Sequence, residues 1–533
     1  MTAADRYDAI VVGGGHNGLV NGTYLARAGL RTLILEKRHL VGGAAITEEL
    51  YPGFQFTTFS YALSLVRPLM IDELELARHG FMPLPMPTSL APTIEGEYLL
   101  LGRDQGENLA EIARHSSRDA DAYLHYRRDV DEVCRAIRPL LDTIPPDPLS
   151  SDPVEQARTA ELAAHFHSLE QRVLHNAIRL LTGSAADFLD HYFEGELLKG
   201  YLASSSIIGS GVGPRSQGSG LVLLYHMLGE VDGTSGSWAF HRGGNGGFSG
   251  VLARAAQSFG AEIRLDSPVE AVLTRSGKAR GVALADGTQL AADVVVSALD
   301  PRRTFLELVD PRQLPVSLTD DIRRLKFGGV SSKVNFALDG QPVYPPLGPG
   351  GDYLSGFVNI GPSVDYLERA FDHSKYGRYS PEPFIDGVVQ SAIDPAMAPP
   401  GKHVMSCFVQ YTPYRLAEGD WDTERHRLGD VVQSTLERYF PGFGDLVLHR
   451  EVVTPLDIER VVGLSEGHIF AGELLAPQML FLRPAPGWSQ YRTPIAGYYQ
   501  CGSGTHPGGC VMGAPGRLAA LQILGDRESA QRS

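Results

Sequence analysis

The stretch Asp8–Val20, which reads DAIVVGGGHNGLV, decides the fold of this 533-residue chain. Its first half, Ala9–Val12, is a short apolar run rich in β-branched residues, which is typical of a buried strand. The residues that follow, Leu19–Ala28, have the periodicity of a helix. The glycines between them have the G-x-G-x-x-G spacing and are Gly13, Gly15 and Gly18. The stretch therefore predicts the strand, turn and helix that bind the pyrophosphate of a dinucleotide.

Each glycine of this fingerprint answers a separate geometric need. Gly13 permits the tight turn, Gly15 lets the backbone approach a pyrophosphate, and Gly18 lets the helix pack closely on the strand. A second predicted strand, Arg31–Leu35, ends at Glu36, about twenty residues after the glycines. The Glu36 carboxylate can accept hydrogen bonds from both ribose hydroxyls of an adenosine, which argues against a 2′-phosphate at this position.

Two nearby segments each allow two interpretations. The double glycine Gly42–Gly43 brings the backbone against the same ligand a second time, as in FAD-binding chains, or it forms a simple Val-Gly-Gly turn. Thr47–Leu63 predicts a hairpin with a Pro-Gly turn. That hairpin is either a wall beside a flavin or an ordinary core hairpin that buries its phenylalanines.

Composition restricts the class of protein. The chain has 47 basic and 62 acidic residues, a net charge of −15 and no long run of one sign, which argues against nucleic acid as a partner. The four cysteines are too few and too scattered for a disulfide framework, and no Cys/His cluster predicts a metal. The first strand begins within the first ten residues and no run of ~18 apolar residues could span a bilayer, so we expect a cytoplasmic protein.

The middle of the chain predicts a discontinuous architecture. Amphipathic segments between residues 81 and 238 predict a helical insert that caps a substrate cavity, and within it Ser204–Leu224 either lines that cavity or touches a membrane surface. Val294–Ala298 is apolar enough to join the parallel sheet begun at Ala9. We therefore expect an α/β, Rossmann-like nucleotide-binding domain interleaved with an α+β substrate domain. The nucleotide-binding domain comprises residues 1–80, 239–310 and 451–533, and the substrate domain residues 81–238 and 311–450.

A second glycine-rich turn lies near the end of the sequence. Gly497–Arg517 predicts a short strand and a turn before a helix over Leu518–Leu524, which presents another helix N-terminus to a ligand. In flavoproteins, the positive end of such a helix favours the negative charge that reduction places on the isoalloxazine. No second fingerprint for NAD(P)H and no redox C-x-x-C pair is present, so we expect electrons to pass directly between substrate and flavin.

Segments at both ends of the chain carry a family resemblance. They are Val12–Val20, Leu35–Arg38, Val41–Glu49, Thr454–Arg460, Arg492–Ile495 and Cys501–Gly509. With them the chain resembles the phytoene-desaturase-related FAD oxidoreductases over essentially its whole length. The resemblance implies FAD as cofactor and the amine oxidase/phytoene desaturase-like form of the FAD/NAD(P)-binding fold. Cys510 stands where the family pattern has glycine, and Ala44 stands where amine oxidases have arginine, which argues against an amine oxidase.

The resemblance also implies a set of FAD contacts. They are Gly13, Gly15, His16, Asn17, Gly18, Glu36, Lys37, Gly42, Gly43, Ala44, Val269, Gly502, Val511 and Met512. Lys37 is expected near the adenosine, and Val269 is expected to offer its backbone to the adenine. Catalytic residues are not fixed in this way. The candidates are His506 and Cys510 beside the flavin ring, and His241 and Arg242 reaching the cavity, with a turn or packing role as the alternative for each.

The function that these patterns predict is an FAD-dependent oxidoreductase. It is expected to dehydrogenate or oxidise an apolar small molecule, with hydride transfer from a substrate carbon to flavin N5. One alternative is a carotenoid desaturase, isomerase or ketolase that acts on a polyene through peripheral membrane contact of the helical region. Another is a protein that keeps FAD as a structural ligand and acts as a regulatory or binding partner without turnover. The sequence carries no signal of oligomeric state.

Overall fold

The computed structural model describes residues 6–532. Its strands are β1 (Arg6–Val12), β2 (Thr32–Leu35), β3 (Glu48–Tyr51), β4 (Phe54–Phe56), β5 (Pro83–Pro85), β6 (Thr88–Pro92), β7 (Tyr98–Gly102), β8 (Glu230–Val231), β9 (Thr234–Ser235), β10 (Ala239–His241), β11 (Glu262–Arg264), β12 (Val269–Arg275), β13 (Lys278–Leu284), β14 (Gln289–Ser297), β15 (Ser331–Leu338), β16 (Phe357–Ile360), β17 (Phe384–Val389), β18 (His403–Gln410), β19 (Val447–Val453) and β20 (Tyr498–Gln500). Its α-helices are α1 (His16–Arg27), α2 (Pro68–Glu73), α3 (Gln105–His115), α4 (Ser117–Ile137), α5 (Pro153–His167), α6 (Gln171–Thr182), α7 (Ala185–Asp190), α8 (Glu196–Ser204), α9 (Ser219–Met227), α10 (Gly244–Ser258), α11 (Val316–Arg324), α12 (Val364–Lys375), α13 (Gln390–Ile393), α14 (Trp421–Tyr439), α15 (Phe443–Leu446), α16 (Pro455–Asp457) and α17 (Ala514–Arg532).

The first large sheet contains the fingerprint strand. Its order is β11-β2-β1-β14-β13-β12, and β20 pairs with the second half of β14. The ladders that join β11, β2, β1, β14 and β20 are parallel, whereas β12, β13 and the first half of β14 form an antiparallel meander. Ala9 pairs with Val294, so the prediction that this later strand joins the first sheet is confirmed. The predicted α/β, Rossmann-like fold is therefore confirmed.

Helices α1, α10 and α17 share one apolar core against this sheet. Close approach between α1 and α17 depends on Gly516, because a Cβ there would lie 2.2 Å from the Asn17 carbonyl oxygen. Asn21 also donates a hydrogen bond from Nδ2 to the Gly516 carbonyl oxygen at 3.0 Å. The two ends of the described chain are thus packed against each other beside the fingerprint.

The second large sheet has the order β19-β15-β18-β17-β16-β6-β7. Its ladders are antiparallel except for the pair β16 and β6. One face packs on α14 through an apolar core that includes Leu428, Val432 and Leu436. Residues on the opposite face, Lys333, Asp386 and Phe408 among them, line a large cavity.

The helical insert consists of α3 to α9 packed around a core of its own. The helical pattern over Glu107–Leu141 is interrupted where Ser116 caps α4, its hydroxyl accepting a hydrogen bond from the Asp119 amide at 3.2 Å. The pattern over Glu155–Leu181 likewise forms two helices, α5 and α6. Within residues 6–532, no helix is both long enough and apolar enough to cross a membrane.

The predicted hairpin over Thr47–Leu63 is formed by β3 and β4, which pair antiparallel. Phe54, Phe56 and Phe59 are buried, as the core interpretation expects. The residues directly after the second strand, from Phe59 to Ala62, also line the large cavity. The core interpretation is confirmed for the phenylalanines, and the wall beside a flavin stays a prediction.

Candidate functional site

A single cavity of about 740 Å³ runs from the fingerprint glycines to the helical insert. Its walls come from the first sheet and α1, from the face of the second sheet opposite α14, and from α4, α8 and α9. Ser204 and Ile208 contribute to the wall, so the interpretation of Ser204–Leu224 as a cavity-lining segment is supported. The predicted cap is likewise present, because Tyr123 and Arg127 of α4 line the cavity.

The glycines at the start of α1 form a cradle. Gly13 has a φ of +103°, which only glycine adopts freely. Gly15 bridges to Gly42 in parallel fashion, and a Cβ on Gly15 would meet only the Gly43 Cα within 4 Å, at 3.9 Å. A Cβ on Gly18 would lie 2.0 Å from the Gly13 carbonyl oxygen, so helix and turn pack as the fingerprint predicts. The fingerprint glycines and the double glycine Gly42–Gly43 therefore both present bare backbone to the cavity.

Glu36 stands at the end of β2 and is 5% exposed. Its Oε2 accepts a hydrogen bond from the Gly14 amide at 2.8 Å, and its Oε1 accepts one from the Arg38 amide at 3.0 Å. Each carboxylate oxygen has a second lone pair, so the side chain is oriented by the backbone and keeps acceptor capacity toward the cavity. This arrangement suits the ribose hydroxyls that the sequence predicts for Glu36.

The chemistry of the cradle fits a dinucleotide. The first turn of α1 contains no acidic residue and its N-cap, Gly15, makes no side-chain capping bond, so the helix N-terminus is available to an anion. Several buried polar atoms nearby have no hydrogen-bond partner within the described part of the chain. They are His16 Nε2, Asn17 Oδ1, Arg38 Nη1 and Arg303 Nε, each on a residue that lines the cavity. The two arginine nitrogens are unpaired donors, which together with bare backbone suit a pyrophosphate, whereas Asn17 Oδ1 is an unpaired acceptor.

Most of the predicted FAD contacts line this cavity. Those that do are Gly13, Gly15, His16, Asn17, Gly18, Glu36, Lys37, Gly42, Gly43, Ala44, Val269 and Val511. Gly502 and Met512 do not. Gly502 packs on the backbone that follows β14, where a Cβ would lie 2.5 Å from the Leu299 carbonyl oxygen. Met512 is fully buried in the core of the helical insert.

Of the four catalytic candidates, only Cys510 lines the cavity, whereas His506, His241 and Arg242 do not. Cys510 lines the cavity with a φ of +73°, in the left-handed region that explains why a glycine is expected there. Burial raises the pKa of its thiol to about 12, so the sulfur is protonated and a poor nucleophile at neutral pH. His506 is not part of the cavity lining, and its Nε2 donates to the Leu140 carbonyl oxygen at 2.8 Å.

His241 and Arg242 also lie outside the cavity wall, contrary to the expectation that they reach it. Both nitrogens of the His241 ring are held by backbone. Nδ1 donates to the Arg242 carbonyl oxygen at 2.7 Å, and Nε2 accepts from the Met82 amide at 3.1 Å. The residue therefore joins β10 to the segment before β5 and has no free nitrogen for catalysis.

A row of side chains across the second sheet was not predicted from the sequence. Lys333 is paired with Phe408, Phe408 with Asp386, and Asp386 with Asn359, so all four point from the same face. That face is the one toward the cavity, and all four residues line it. The row places a cation, an aromatic ring, a carboxylate and an amide side by side in a buried setting.

Lys333 is 3% exposed, and within residues 6–532 its Nζ has no hydrogen-bond partner. It lies 3.8 Å from the centroid of the Tyr61 ring. A cation over an aromatic face gains some electrostatic attraction, but this does not replace the lost hydration. Burial accordingly lowers the pKa of Lys333 to about 7.

Asp386 contacts the hydroxyl group of the same tyrosine, Tyr61. Its Oδ2 accepts a hydrogen bond from the Tyr61 hydroxyl at 2.8 Å, whereas its Oδ1 has no partner in the described chain. Burial raises the pKa of the carboxyl group to about 7, even though the Tyr61 hydrogen bond favours the charged form. A lysine and an aspartate that both titrate near neutrality in one cavity form a group able to hold or release a proton.

The signal for this row is present in the sequence but weak. Lys333 and Asp386 are single charges inside otherwise apolar strands, and a charge in such a strand is either unfavourable or functional. Their adjacency depends on the register of β15, β18 and β17, which no local pattern reveals. Three or more His, Cys, Asp or Glu side chains arranged to hold a metal ion do not occur within the described residues.

The rest of the chamber beside this row is mainly apolar and aromatic. Its lining includes Tyr61, Leu65, Leu101, Tyr123, Leu202, Ile208, Met227, Trp238, Phe357, Phe408 and Phe470. The rings contact one another, with Tyr61 edge-on to Phe357 at 6.1 Å between centroids and Trp238 edge-on to Phe357 at 5.7 Å. A molecule in this chamber is therefore surrounded by apolar surface except along the row of Lys333.

The sequence of the chain is similar to known flavoprotein sequences over nearly its whole length. The family model described as flavin containing amine oxidoreductase matches residues 18–524. The mouse (Mus musculus) protein named pyridine nucleotide-disulfide oxidoreductase domain-containing protein 2 is 40% identical over 545 residues, covering 98% of this chain and 94% of that protein. The predicted resemblance is confirmed, and Ala44 does not place the chain outside the amine oxidoreductase family.

More distant relatives cover similar lengths. One of the subunits of limonene dehydrogenase from Castellaniella defragrans is 26% identical, with 99% of this chain and 96% of that protein covered. A lycopene-forming phytoene desaturase of Pseudescherichia vulneris is 24% identical, with 96% and 97% covered. Among solved structures, cyclohexylamine oxidase from Brevibacterium oxydans has a TM-score of 0.55 at 16% identity, with 97% of each chain covered, which shows the shared fold.

Proposed function

The chain belongs to the flavin containing amine oxidoreductase family and is an FAD-dependent oxidoreductase, and we propose that it dehydrogenates or oxidises an apolar small molecule by hydride transfer to flavin N5. The observation that carries the proposal is the single cavity, which joins the dinucleotide cradle to the apolar chamber without a dividing wall. The names of two relatives, a limonene dehydrogenase and a phytoene desaturase, support an apolar substrate.

The cradle residues bind and orient the cofactor in this proposal. The N-terminus of α1 and the bare backbone at Gly15 and Gly43 would hold the pyrophosphate, and Glu36 would hold the ribose. FAD bound in this way supplies a hydride acceptor at N5. The aromatic chamber holds the apolar substrate and excludes water from it, which protects the reacting carbon.

The row across the second sheet supplies the polar chemistry. Lys333, with a pKa of about 7, is half neutral at neutral pH and can accept a proton released from the substrate. Asp386 lies in the same row and is coupled to Lys333 through their charges, so it stabilises the protonated lysine. Tyr61 holds the Asp386 carboxylate through its hydroxyl and supports Lys333 with its ring.

Anaerobic mixing of the FAD-loaded protein with a panel of compounds tests the proposal. The panel contains apolar hydrocarbons, apolar alcohols, apolar amines and charged polar metabolites, together with a polyene supplied in liposomes. Loss of the oxidised-flavin absorbance with members of the apolar classes is the expected result. Loss only with charged polar metabolites would contradict the proposal, and loss only with the polyene would favour the desaturase alternative.

A further inference from the structure

Arg483 is a buried cation that lies behind the wall of the cavity. Its side chain is 2% exposed and is not part of the cavity lining. The guanidinium donates to five backbone carbonyl oxygens at 2.8 to 3.3 Å, and these belong to Phe470, Gly472, Glu473, Gln478 and Ser503. Within residues 6–532 it forms no ion pair with a carboxylate. Carbonyl dipoles replace part of its hydration but carry no net charge, so the positive charge is not neutralised by a direct partner.

Two of the five carbonyl groups belong to residues that line the cavity. The carbonyl oxygens of Phe470 and Ser503 both accept from Nη2 of Arg483, at 2.8 and 2.9 Å. Ser503 also accepts a hydrogen bond on Oγ from Asn17, in the first turn of α1, at 3.2 Å. The guanidinium is therefore one carbonyl group removed from the cavity at two places, and one of these adjoins the dinucleotide cradle.

A buried histidine holds the same part of the wall from behind. The Nδ1 atom of His468 accepts hydrogen bonds from the amides of Phe470 and Gly472, at 3.2 and 3.4 Å. Its Nε2 lies 3.5 Å from Oε1 of Glu473, and that oxygen also accepts from the Gly211 amide at 2.9 Å. The nearby carboxylate is thus directed to the histidine and to the helical insert, and it does not pair with the guanidinium.

The charge of Arg483 matters because reduction changes the charge of a flavin. Hydride transfer adds two electrons and one proton to the ring system, which leaves it more negative. A positive charge close to the cavity stabilises that product, and the interaction is stronger in a buried setting than in water. Burial lowers the pKa of the Arg483 guanidinium to about 10, which still leaves the group charged at neutral pH.

We propose that the buried Arg483 cation raises the reduction potential of the flavin in this cavity and so favours hydride transfer from the substrate. The inference rests on the proposed function only in that FAD occupies the cavity. The cation acts at a distance, without contact with the flavin. By holding the carbonyl oxygens of Phe470 and Ser503, it also keeps two partial negative charges directed away from a reduced flavin.

Reductive titration with dithionite against a reference dye measures the midpoint potential of bound FAD without any substrate. Arg483→Gln removes the charge but keeps an amide donor, so it is expected to lower the midpoint potential. We expect the affinity for reduced FAD to fall about tenfold or more relative to that for oxidised FAD, which is about 30 mV for a two-electron couple. Arg483→Lys retains the charge but not the five hydrogen bonds, and it is expected to keep most of the potential of the unaltered protein.

The sign of a second shift separates charge from structure. Glu473→Gln removes the buried negative charge beside the guanidinium and is expected to raise the midpoint potential, whereas a purely structural disturbance of this cluster would not reverse the sign. Arg312→Gln is the matched control, because the Arg312 side chain is 90% exposed, pairs with Asp310 and does not line the cavity. Its potential is expected to equal that of the unaltered protein. If Arg483→Gln does not fold or does not retain FAD, Arg483→Lys and Glu473→Gln still decide.

The outcomes separate this inference from the proposed function. An unchanged midpoint potential in Arg483→Gln, an equal fall in Arg483→Lys, or a fall in Glu473→Gln overturns the inference. If apolar compounds still reduce the flavin of the unaltered protein in that case, the proposed function stands alone. The expected shifts in a protein whose flavin no apolar compound reduces would support the inference and remove the proposed substrate class.

Discussion

Replacing Gly15 by valine fills the dinucleotide cradle without straining the backbone. Gly15 has φ −68° and ψ 168°, in the extended region that any residue adopts, unlike Gly13 and Gly42, whose φ values are +103° and +124°. A Cβ at Gly15 would meet no protein atom closer than the Gly43 Cα at 3.9 Å. The valine side chain therefore projects into the space that the pyrophosphate needs, and the protein itself accommodates it.

The cost to FAD binding follows from the contacts that the side chain displaces. The phosphates are expected to receive hydrogen bonds from the uncapped N-terminal amides of α1, and a hydrogen bond to a charged group contributes roughly 1.5–3 kcal/mol. Loss of two such bonds amounts to about 3–6 kcal/mol, which raises the dissociation constant by roughly 10² to 10⁴. The free energy of unfolding of the apoprotein is expected to change little, since no backbone strain and no clash arise.

Equilibrium dialysis against FAD and urea unfolding of the apoprotein measure the two quantities separately. Gly525→Val is the matched control, because Gly525 is exposed on α17 and a Cβ there meets no atom within 4 Å. The control is expected to bind FAD as the unaltered protein does. A Gly15→Val protein that retains FAD at full stoichiometry and unchanged affinity would refute the assignment of the cradle.

Two further changes probe the buried groups. Lys333→Met is expected to raise the free energy of unfolding relative to the unaltered protein, and this difference is expected to grow as the pH falls from 10.5 to about 7. The reason is that the unaltered native state resists protonation of Lys333 over this range, whereas its unfolded chain takes up the proton. Urea titrations over this range measure the difference, and a difference independent of pH would contradict the burial argument. Cys510→Gly is expected to be more stable than Cys510→Ala by about 1 kcal/mol, since only glycine adopts the positive φ of this position without strain. Thermal unfolding of the two variants measures the difference in stability, and equal stability would show that the left-handed conformation is not costly.

The fingerprint could be predicted from the sequence because its determinants are local. A strand, a turn and a helix follow one another within Asp8–Val20, and the glycine spacing reports the geometry directly. The expected glycine at position 510 is another local requirement, since the positive φ of Cys510 is fixed by the turn before α17. A short motif of this kind predicts the backbone conformation of its own residues without information about the rest of the chain.

The catalytic surroundings could not be predicted in the same way, because they depend on distant pairings. Lys333 and Asp386 are separated along the chain and meet only through the register of three strands. Conversely, His506 lies close in sequence to cavity residues, yet its ring turns to Leu140 in the helical insert. Proximity in sequence to a motif does not determine the direction of a side chain.

Helix starts were misplaced where glycines fill a first turn, because α1 begins at His16 and α17 at Ala514, earlier than the Leu19 and Leu518 that the sequence predicts. Glycines also fill the first turn of α10, which begins at Gly244, after Gly243 adopts a left-handed conformation with a φ of +75°. Gly246 and Gly247 are required there by close packing, because a Cβ at Gly246 would lie 2.3 Å from the Thr47 amide nitrogen. Low helix propensity was thus overridden by tertiary contact.

The bond from Asn17 Nδ2 to Ser503 Oγ, 3.2 Å long, joins residues 486 positions apart that both line the cavity. During synthesis on the ribosome, the fingerprint is completed early, whereas Ser503 and Val511 are among the last parts of the described chain to emerge. A nascent chain can therefore form the first strand and helix long before it can enclose a cofactor. Ribosome stalling or truncation before α17 is expected to leave an FAD site with one wall missing, so cofactor loading should follow release of the chain rather than accompany its elongation.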